Sequence, residues 1–146
     1  MGKTNGGFLI SKIKQIQDRV FGDVLSRHGI VRLNGPQGRI LHVLWNTDDI
    51  PISELSDKTG LAKTSLTSML DRLESSGYLM RKNDAEDRRK INIKLTEKAI
   101  GMREKYDTVS KDMTDIFYKG FSQREIVEFE GYLSRILMNL KEEEGR

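Results

Sequence analysis

The chain has 146 residues, of which 36% are hydrophobic and 32% charged, and its formal net charge is +3. This length suits one domain with a buried core, and the absence of cysteine excludes disulfides, thiolate metal sites and cysteine redox chemistry. No segment approaches the ~18 consecutive apolar residues of a membrane span, and residues 1–7 lack the apolar run of a signal peptide. We therefore expect a cytoplasmic protein.

The first periodic segment predicts an amphipathic helix over residues 8–27, with Gly29 as its stop. Its apolar residues recur at steps of three and four, and they are Leu9, Ile13, Ile16, Val20 and Val24, widened by Phe21 and Leu25. A second helix is predicted to begin near Asn34, a residue type that caps helices, with Pro36 in its first turn. It should end before Asp48.

Two short helices joined by a tight turn are predicted next. Ser53 can cap a helix that runs through Lys58, and Gly60 supplies the turn. The following helix spans about residues 63–75, and Gly77 can end it in the left-handed conformation. One face of this helix is apolar and consists of Leu66, Met69, Leu70 and Leu73.

The chain then changes to the two-residue period of β-strands. Residues 78–83 and 90–95 are predicted to form a hairpin with a charged tip at residues 84–89. In the second strand Ile91, Ile93 and Leu95 alternate with Asn92 and Lys94, which indicates a half-buried strand. Residues 81–90 hold five basic side chains against three acidic ones.

Two long helices are predicted to close the chain. Thr96 can cap the first, whose heptad seam consists of Ala99, Met102, Tyr106, Val109, Met113 and Ile116. The second begins with a capping box formed by Ser122 and Glu125. Its seam consists of Ile126, Phe129, Leu133, Ile136 and Leu140.

The order helix, turn, helix and hairpin is typical of DNA-binding modules, in which the second helix of the pair enters the major groove. Its candidate DNA contacts are polar or basic, and they are Lys63, Thr64, Ser65, Thr67, Ser68 and Arg72. Arginine at the hairpin tip can enter a narrow minor groove, where Asp87 can orient it. A solvated helix surface and a solvated turn are the alternatives, but both signals in this order are more specific than either alone.

At this point the sequence resembles the MarR family of bacterial and archaeal regulators. The resemblance lies in GPQGRIL at residues 35–41, TSLTSMLDRLESSGYLMR at residues 64–81, and Asp87-Arg88-Arg89 followed by INIKLTEKA. It implies that Arg89 is the wing arginine and Asp87 its acidic partner. Since Arg88 occupies the variable middle position, either arginine could be the one inserted. The resemblance also implies a homodimer paired through the terminal helices, and relief of repression by small ligands.

The expected fold is mostly α with a two-stranded β wing, in a single domain over residues 1–146. Residues 34–95 would form the winged helix-turn-helix, and residues 8–28 and 96–143 the dimerisation helices. Dimerisation would bury apolar helix surface at about 25 cal/mol per Å², although the stripes could instead pack on one another. We expect a sequence-specific, ligand-responsive repressor that binds a palindromic operator. Activation is equally compatible with the sequence, and a winged-helix protein-interaction module is the alternative.

Candidate ligand-binding residues are Arg19, His42, Trp45 and Tyr106, since similar proteins often bind effectors between the dimer helices and the reading module. An aromatic or anionic effector is possible, although each residue also suits a packing or surface role. His42 lies in an apolar run, which favours a core or cleft position. No metal-ligand set, cofactor motif or catalytic motif is present. The expected partners are therefore double-stranded DNA, a second copy of the chain and a small-molecule effector, without a membrane, a cofactor or an enzymatic activity.

Overall fold

The computed structural model describes residues 2–30, 33 and 35–146. The predicted class is confirmed, because the described residues form seven helices and one small antiparallel sheet. The helices are α1 (Gly6–Arg27), α2 (Gly35–Asn46), α3 (Ile52–Thr59), α4 (Lys63–Ser75), α5 (Glu97–Gly101), α6 (Arg103–Phe117) and α7 (Gln123–Glu144). The strands are β1 (Ile50–Pro51), β2 (Leu79–Asn83) and β3 (Ile91–Leu95). Asn34, the predicted cap of the second helix, lies outside the described residues.

The chain divides into two compact units, Met1–Ser110 and Lys111–Arg146. The first unit holds α1 to α5 and the sheet, the second holds α7, and α6 crosses the boundary. None of the helices in the described part of the chain is both long and apolar enough to cross a membrane.

The core of the first unit is built from aliphatic side chains of nearly every element. Eleven of its side chains are essentially inaccessible to solvent: Leu25, Ile40, Leu41, Leu44, Leu55, Leu66, Leu70, Leu73, Leu79, Ile93 and Val109. The anchoring face predicted for α4 is confirmed, since three of its four leucine and methionine positions are in this set and Met69 is half-buried. Because this face of α4 is buried in the core, the opposite face of the helix must be the exposed one.

The turns on either side of α3 and α4 were partly predicted. Gly60 (φ 75°) and Gly77 (φ 82°) adopt the left-handed conformation that ends each helix, as expected. The prediction that Ser53 caps α3 is wrong. Pro51 is the N-cap, with extended backbone, and Ser53 already lies within the helix. The helix starts early because the preceding two residues are held in a strand.

That strand, β1, was not predicted and makes the sheet three-stranded in the order β1-β3-β2. Ile50 pairs with Ile93, and Pro51 pairs with Asn92. Two residues are too short to show a period, and proline rarely signals a strand because it lacks an amide donor. The predicted hairpin itself is confirmed, with Leu79 opposite Leu95 and Asn83 opposite Ile91.

The predicted burial pattern of β3 is wrong at its distal end. Ile93 and Leu95 are buried, but Ile91 is 46% exposed and Asn92 only 7% exposed. Ile91 lies at the tip end of the hairpin, beyond the core. Asn92 is buried, and its amide nitrogen donates hydrogen bonds to Asp49 and Asp84.

The helix predicted to follow Thr96 is broken into two. α5 ends at Gly101, Met102 forms a turn, and α6 begins at Arg103. Glycine weakens a helix at this point, since its backbone loses more entropy than that of other residues. The predicted cap is confirmed, because the Thr96 hydroxyl accepts a hydrogen bond from the amide of Ala99.

The second unit contains the capping box expected at the start of α7. The amide of Glu125 donates to the Ser122 hydroxyl (3.1 Å), and the amide of Ser122 donates to the Glu125 carboxylate (2.9 Å). Before α7, the aromatic rings of Phe117, Tyr118 and Phe121 cluster with Phe129. The Tyr118 hydroxyl donates a 2.6 Å hydrogen bond to Glu130, which raises the pKa of Tyr118 to about 12.

Candidate nucleic-acid interface

The outer side of α4 is exposed and carries small polar and basic side chains. All six residues predicted to contact DNA on this helix are exposed: Lys63, Thr64, Ser65, Thr67, Ser68 and Arg72. The Thr67 hydroxyl donates to the carbonyl of Lys63 (2.9 Å), which leaves its oxygen lone pairs and methyl group for an external partner. Most of these side chains are small, so the helix can come close to the edges of bases in a major groove.

The C-terminal end of α4 is held by residues at the start of α5. The Lys98 ammonium donates to the carbonyl of Ser76 (2.8 Å) and lies over the ring of Tyr78. The Thr96 hydroxyl donates to the carbonyl of Gly77 (2.6 Å). The carbonyl of the C-cap Ser76 and the carbonyl of Gly77, just beyond the helix, are thereby both satisfied.

Arg81 of β2 binds the side of α4. Its guanidinium donates to Asp71 and to Glu74, each at 2.8 Å, and to the carbonyl of Thr67 at 3.4 Å. From the sequence, Arg81 stood out only as one of the basic residues of the hairpin. A usable signal was present: Arg81 is two residues after the core residue Leu79, and two acidic residues lie three apart on the facing helix.

The tip of the wing, residues 84–90, is closed by Asp84. Its carboxylate accepts hydrogen bonds from the amides of Glu86 (2.8 Å) and Asp87 (3.2 Å). These two bonds, together with a third from Asn92, hold the pKa of Asp84 below its usual value of 3.8. The loop that carries the wing arginines therefore has a defined backbone conformation.

Asp87 and Arg89 lie together, as the resemblance implied. The Asp87 carboxylate accepts from both the backbone amide (3.0 Å) and the Nε (3.2 Å) of Arg89. The Arg89 side chain is nevertheless 91% exposed, and Arg88 is also exposed. The carboxylate thus orients one guanidinium at the tip without removing it from solvent.

A polar network lies at the base of the wing and was not predicted from the sequence. The Asn92 amide nitrogen donates to Asp49 (3.2 Å) and Asp84 (3.0 Å), and Lys82 pairs with the other oxygen of Asp49 (3.2 Å). Asp49 has a φ of 60°, in the left-handed region that asparagine and aspartate tolerate better than most residues. The network joins the β1 side of the sheet to the tip of the wing.

The four candidate ligand residues separate into two pairs. Trp45 and Tyr106 are buried with their ring centroids 4.7 Å apart, and desolvation raises the pKa of Tyr106. Arg19 and His42 are exposed. The expectation of a core position for His42 is therefore wrong, because it lies on the outer side of an amphipathic helix whose inner side carries Leu41 and Leu44.

Comparison with known proteins decides the family. Residues 33–91 match the model of the MarR family. The transcriptional regulator MhqR of Bacillus subtilis is 30% identical over 118 residues, which cover 81% of this chain and 79% of that protein. The chain belongs to the MarR family. A crystal structure of a MarR variant from E. coli complexed with operator DNA is 28% identical, with a TM-score of 0.79 and coverage of 90% and 92% of the two chains.

A second relative differs in length. The transcriptional regulator TtmR of Methylorubrum extorquens is 35% identical over 89 residues. The match covers 61% of this chain but only 44% of TtmR, so the chain spans less than half of that relative's length.

Proposed function

We propose that this chain is a sequence-specific DNA-binding transcription regulator. The observation that carries the proposal is the exposed, hydroxyl-rich outer side of α4, which belongs to the same module as the exposed arginines of the wing. The operator complex of the E. coli MarR variant, which has the same fold, supports the assignment.

In this proposal α4 enters the major groove. Ser65, Thr67, Ser68 and Thr64 provide hydroxyls that can bond to base edges or phosphates, and threonine methyl groups can contact the methyl of thymine. Lys63 and Arg72 add positive charge at the two ends of the exposed side. The wing, with Arg88 and Arg89, lies near the minor groove, where Asp87 orients Arg89.

A module that binds another protein instead of DNA is the second candidate. Such an interface usually has an apolar centre. The exposed side of α4 has no large apolar side chain among its six described residues, so DNA is favoured. Because the relatives are transcriptional regulators, we also propose that the chain has no enzymatic activity.

We propose that the working form is a homodimer. In the N-terminal half of α1 the apolar residues Phe8, Leu9, Ile10, Ile13 and Ile16 are exposed. On α7 the exposed apolar residues are Val127, Tyr132, Ile136, Leu137, Met138 and Leu140. Surfaces of this kind mark protein interfaces. Residues 8–28 and 96–143 would form the interface, leaving residues 34–95 to read a palindromic operator.

We propose further that the dimer is a cytoplasmic repressor released by a small molecule. Arg19 and His42 are exposed and could face an anionic effector, while Trp45 and Tyr106 would form the wall behind it. An effector of this kind must bind one spacing of the two reading modules more tightly than the other. It would then lower operator affinity without contacting DNA.

The test is selection of bound duplexes from a random pool, followed by binding isotherms on the selected sequence and on a scrambled duplex. We expect an inverted repeat with half-sites ~10 bp apart or a multiple of that. Specific affinity should exceed scrambled affinity by roughly 10³-fold or more. A pool that converges on no sequence would contradict the proposed function.

A further inference from the structure

We propose that Arg81 is a positioning residue for DNA reading, which fixes how α4 is rotated relative to the wing. The inference rests on the proposed function, because it concerns how the reading helix is held. It extends that function to a residue whose own side chain faces α4 rather than the exposed side of the module.

The contacts of Arg81 run along the helix. Its three acceptors, the carbonyl of Thr67 and the carboxylates of Asp71 and Glu74, lie on successive turns of α4. The first and last lie seven positions apart, or about 10 Å along the helix axis. The backbone amide of Arg81 also donates to Glu74 (3.2 Å), so strand and side chain hold the same carboxylate.

The chemistry of arginine suits this role. A guanidinium is planar and presents its donors in a fixed fork, whereas the ammonium of lysine is a single point of charge. With two charge-assisted bonds on different turns, the fork resists both sliding of α4 along its axis and rotation about it. The Arg81 side chain is 24% exposed, and the carboxylates of Asp71 and Glu74 are 64% and 41% exposed, so the guanidinium is the covered partner of each pair.

Rotation of α4 is the motion to which base reading is most sensitive. A side-chain end about 5–6 Å from the helix axis moves by about 2 Å when the helix rotates by about 20°. A hydrogen bond does not survive a displacement of that size. Thr67 connects the two sides directly, since its carbonyl accepts from Arg81 while its side chain is exposed.

The effect of neutralising the two acidic partners of Arg81 distinguishes a positioning role from direct contact with DNA. Asp71 and Glu74 are two negative charges on the helix that approaches the phosphates. Through charge alone, neutralising them would strengthen binding to any duplex. If Arg81 positions α4 through them, neutralising them weakens binding to the operator instead.

The experiment compares R81M, R81K and the double variant D71N/E74Q with the parent, on the selected operator and the scrambled duplex at several salt concentrations. Asp57→Asn is the matched control, because Asp57 is an exposed carboxylate on α3. We expect R81M and D71N/E74Q to weaken operator binding by roughly 5- to 30-fold. Scrambled-duplex affinity should not fall, the salt slope should stay that of the parent, R81K should be intermediate, and D57N should not weaken binding.

Two results would overturn the inference. One is operator binding by D71N/E74Q that equals or exceeds that of the parent. The other is a fall of about one in the salt slope of R81M, which would mean that Arg81 neutralises a phosphate. Thermal unfolding identifies a variant that does not fold; if R81M is one, R81K and D71N/E74Q decide. A parent without operator preference overturns the proposed function as well, and this is known before any variant is made.

Discussion

The indole nitrogen of Trp45 donates a 2.9 Å hydrogen bond to the carbonyl of Ala99, although the two residues are 54 positions apart. Both residues are buried. In return, the Arg103 guanidinium donates to the carbonyl of Trp45 (3.0 Å). α2, at the centre of the reading module, is thus tied to the segment where α5 gives way to α6.

This relationship predicts the effect of W45F. The variant leaves the buried carbonyl of Ala99 without its donor and also removes ring area, so the free energy of unfolding should fall by about 1–3 kcal/mol. Urea unfolding measures the change. R103A is the comparison, and its effect should be smaller because Arg103 is half exposed. Equal stability of W45F and the parent would contradict the assignment.

Gly38 lies against Tyr106, and this packing predicts that G38A is destabilising. A Cβ at position 38 would collide with the Tyr106 hydroxyl and lie 3.2 Å from the rings of both Phe21 and Tyr106. Overpacking of this kind costs about 1–3 kcal/mol, more than the helix propensity that alanine adds. In G38A/Y106F the hydroxyl is absent, so part of the loss should be recovered in the same unfolding assay. If G38A/Y106F is no more stable than G38A, the Tyr106 hydroxyl is not the source of the destabilisation.

Asp84 predicts acid sensitivity of the wing. Because its pKa in the folded chain lies below the usual 3.8, Asp84 stabilises the fold above that value, and the stabilisation is lost as pH falls through the folded pKa. The protection of the Glu86 and Asp87 amides from hydrogen exchange, relative to the intrinsic rate at each pH, should therefore fall in acid. D84N cannot titrate at this position, so the protection of its tip amides should not change with pH in this range. A parent whose tip amides keep the same protection as the pH falls well below 3.8 would contradict the role of Asp84.

Substitutions in α4 and in the wing should affect DNA binding in different ways. S65A or T67V should relax preference at particular operator bases, because each removes a hydroxyl whose hydrogen bond to a base is worth about 1–3 kcal/mol of binding free energy. R89A should weaken binding to operator and scrambled duplex alike, and should lower the salt slope by about one. Binding isotherms at several salt concentrations separate the two effects.

R88A is the internal control for that series. Asp87 orients Arg89, so we expect the larger loss of affinity from R89A. If R88A and R89A both bind the two duplexes like the parent at every salt concentration, the wing does not touch DNA. A larger loss of affinity from R88A would instead assign the minor-groove interaction to Arg88.

The exposed stripe on α1 predicts a dimer-breaking variant. The parent should sediment at about twice 16.8 kDa at micromolar concentration. I13E places a charge within the stripe, and we expect it to raise the dimer dissociation constant at least about tenfold. M80E is the matched control, since Met80 is also exposed but lies on β2, outside the proposed interface. A parent that is monomeric and still binds the operator tightly would contradict the dimer.

The elements that could be predicted from the sequence are those whose signals are local. Hydrophobic period located α4, and the capping box of Ser122 and Glu125 located the start of α7. Gly60 and Gly77 marked turns because few other residues adopt their backbone conformation. In the wing, the pairing of Asp87 with Arg89 followed from the resemblance and from their proximity in the chain.

The features that were missed depend on residues distant in sequence. β1 forms by pairing Ile50 with Ile93, and the amide of buried Asn92 donates to Asp49, 43 positions away. His42 was misplaced because an apolar run does not show which side of a helix each residue occupies. The role of Arg81 required knowing that its strand faces α4.

The edges of the sheet limit how copies of this chain can associate. At one edge β1 is two residues long and includes Pro51, which has no amide hydrogen to offer another strand. At the other edge β2 carries Arg81 and Lys82, and charged side chains discourage strand addition. When many copies bind along DNA, their sheet edges therefore offer little template for cross-β aggregation. Copies of the chain can associate through their helices instead.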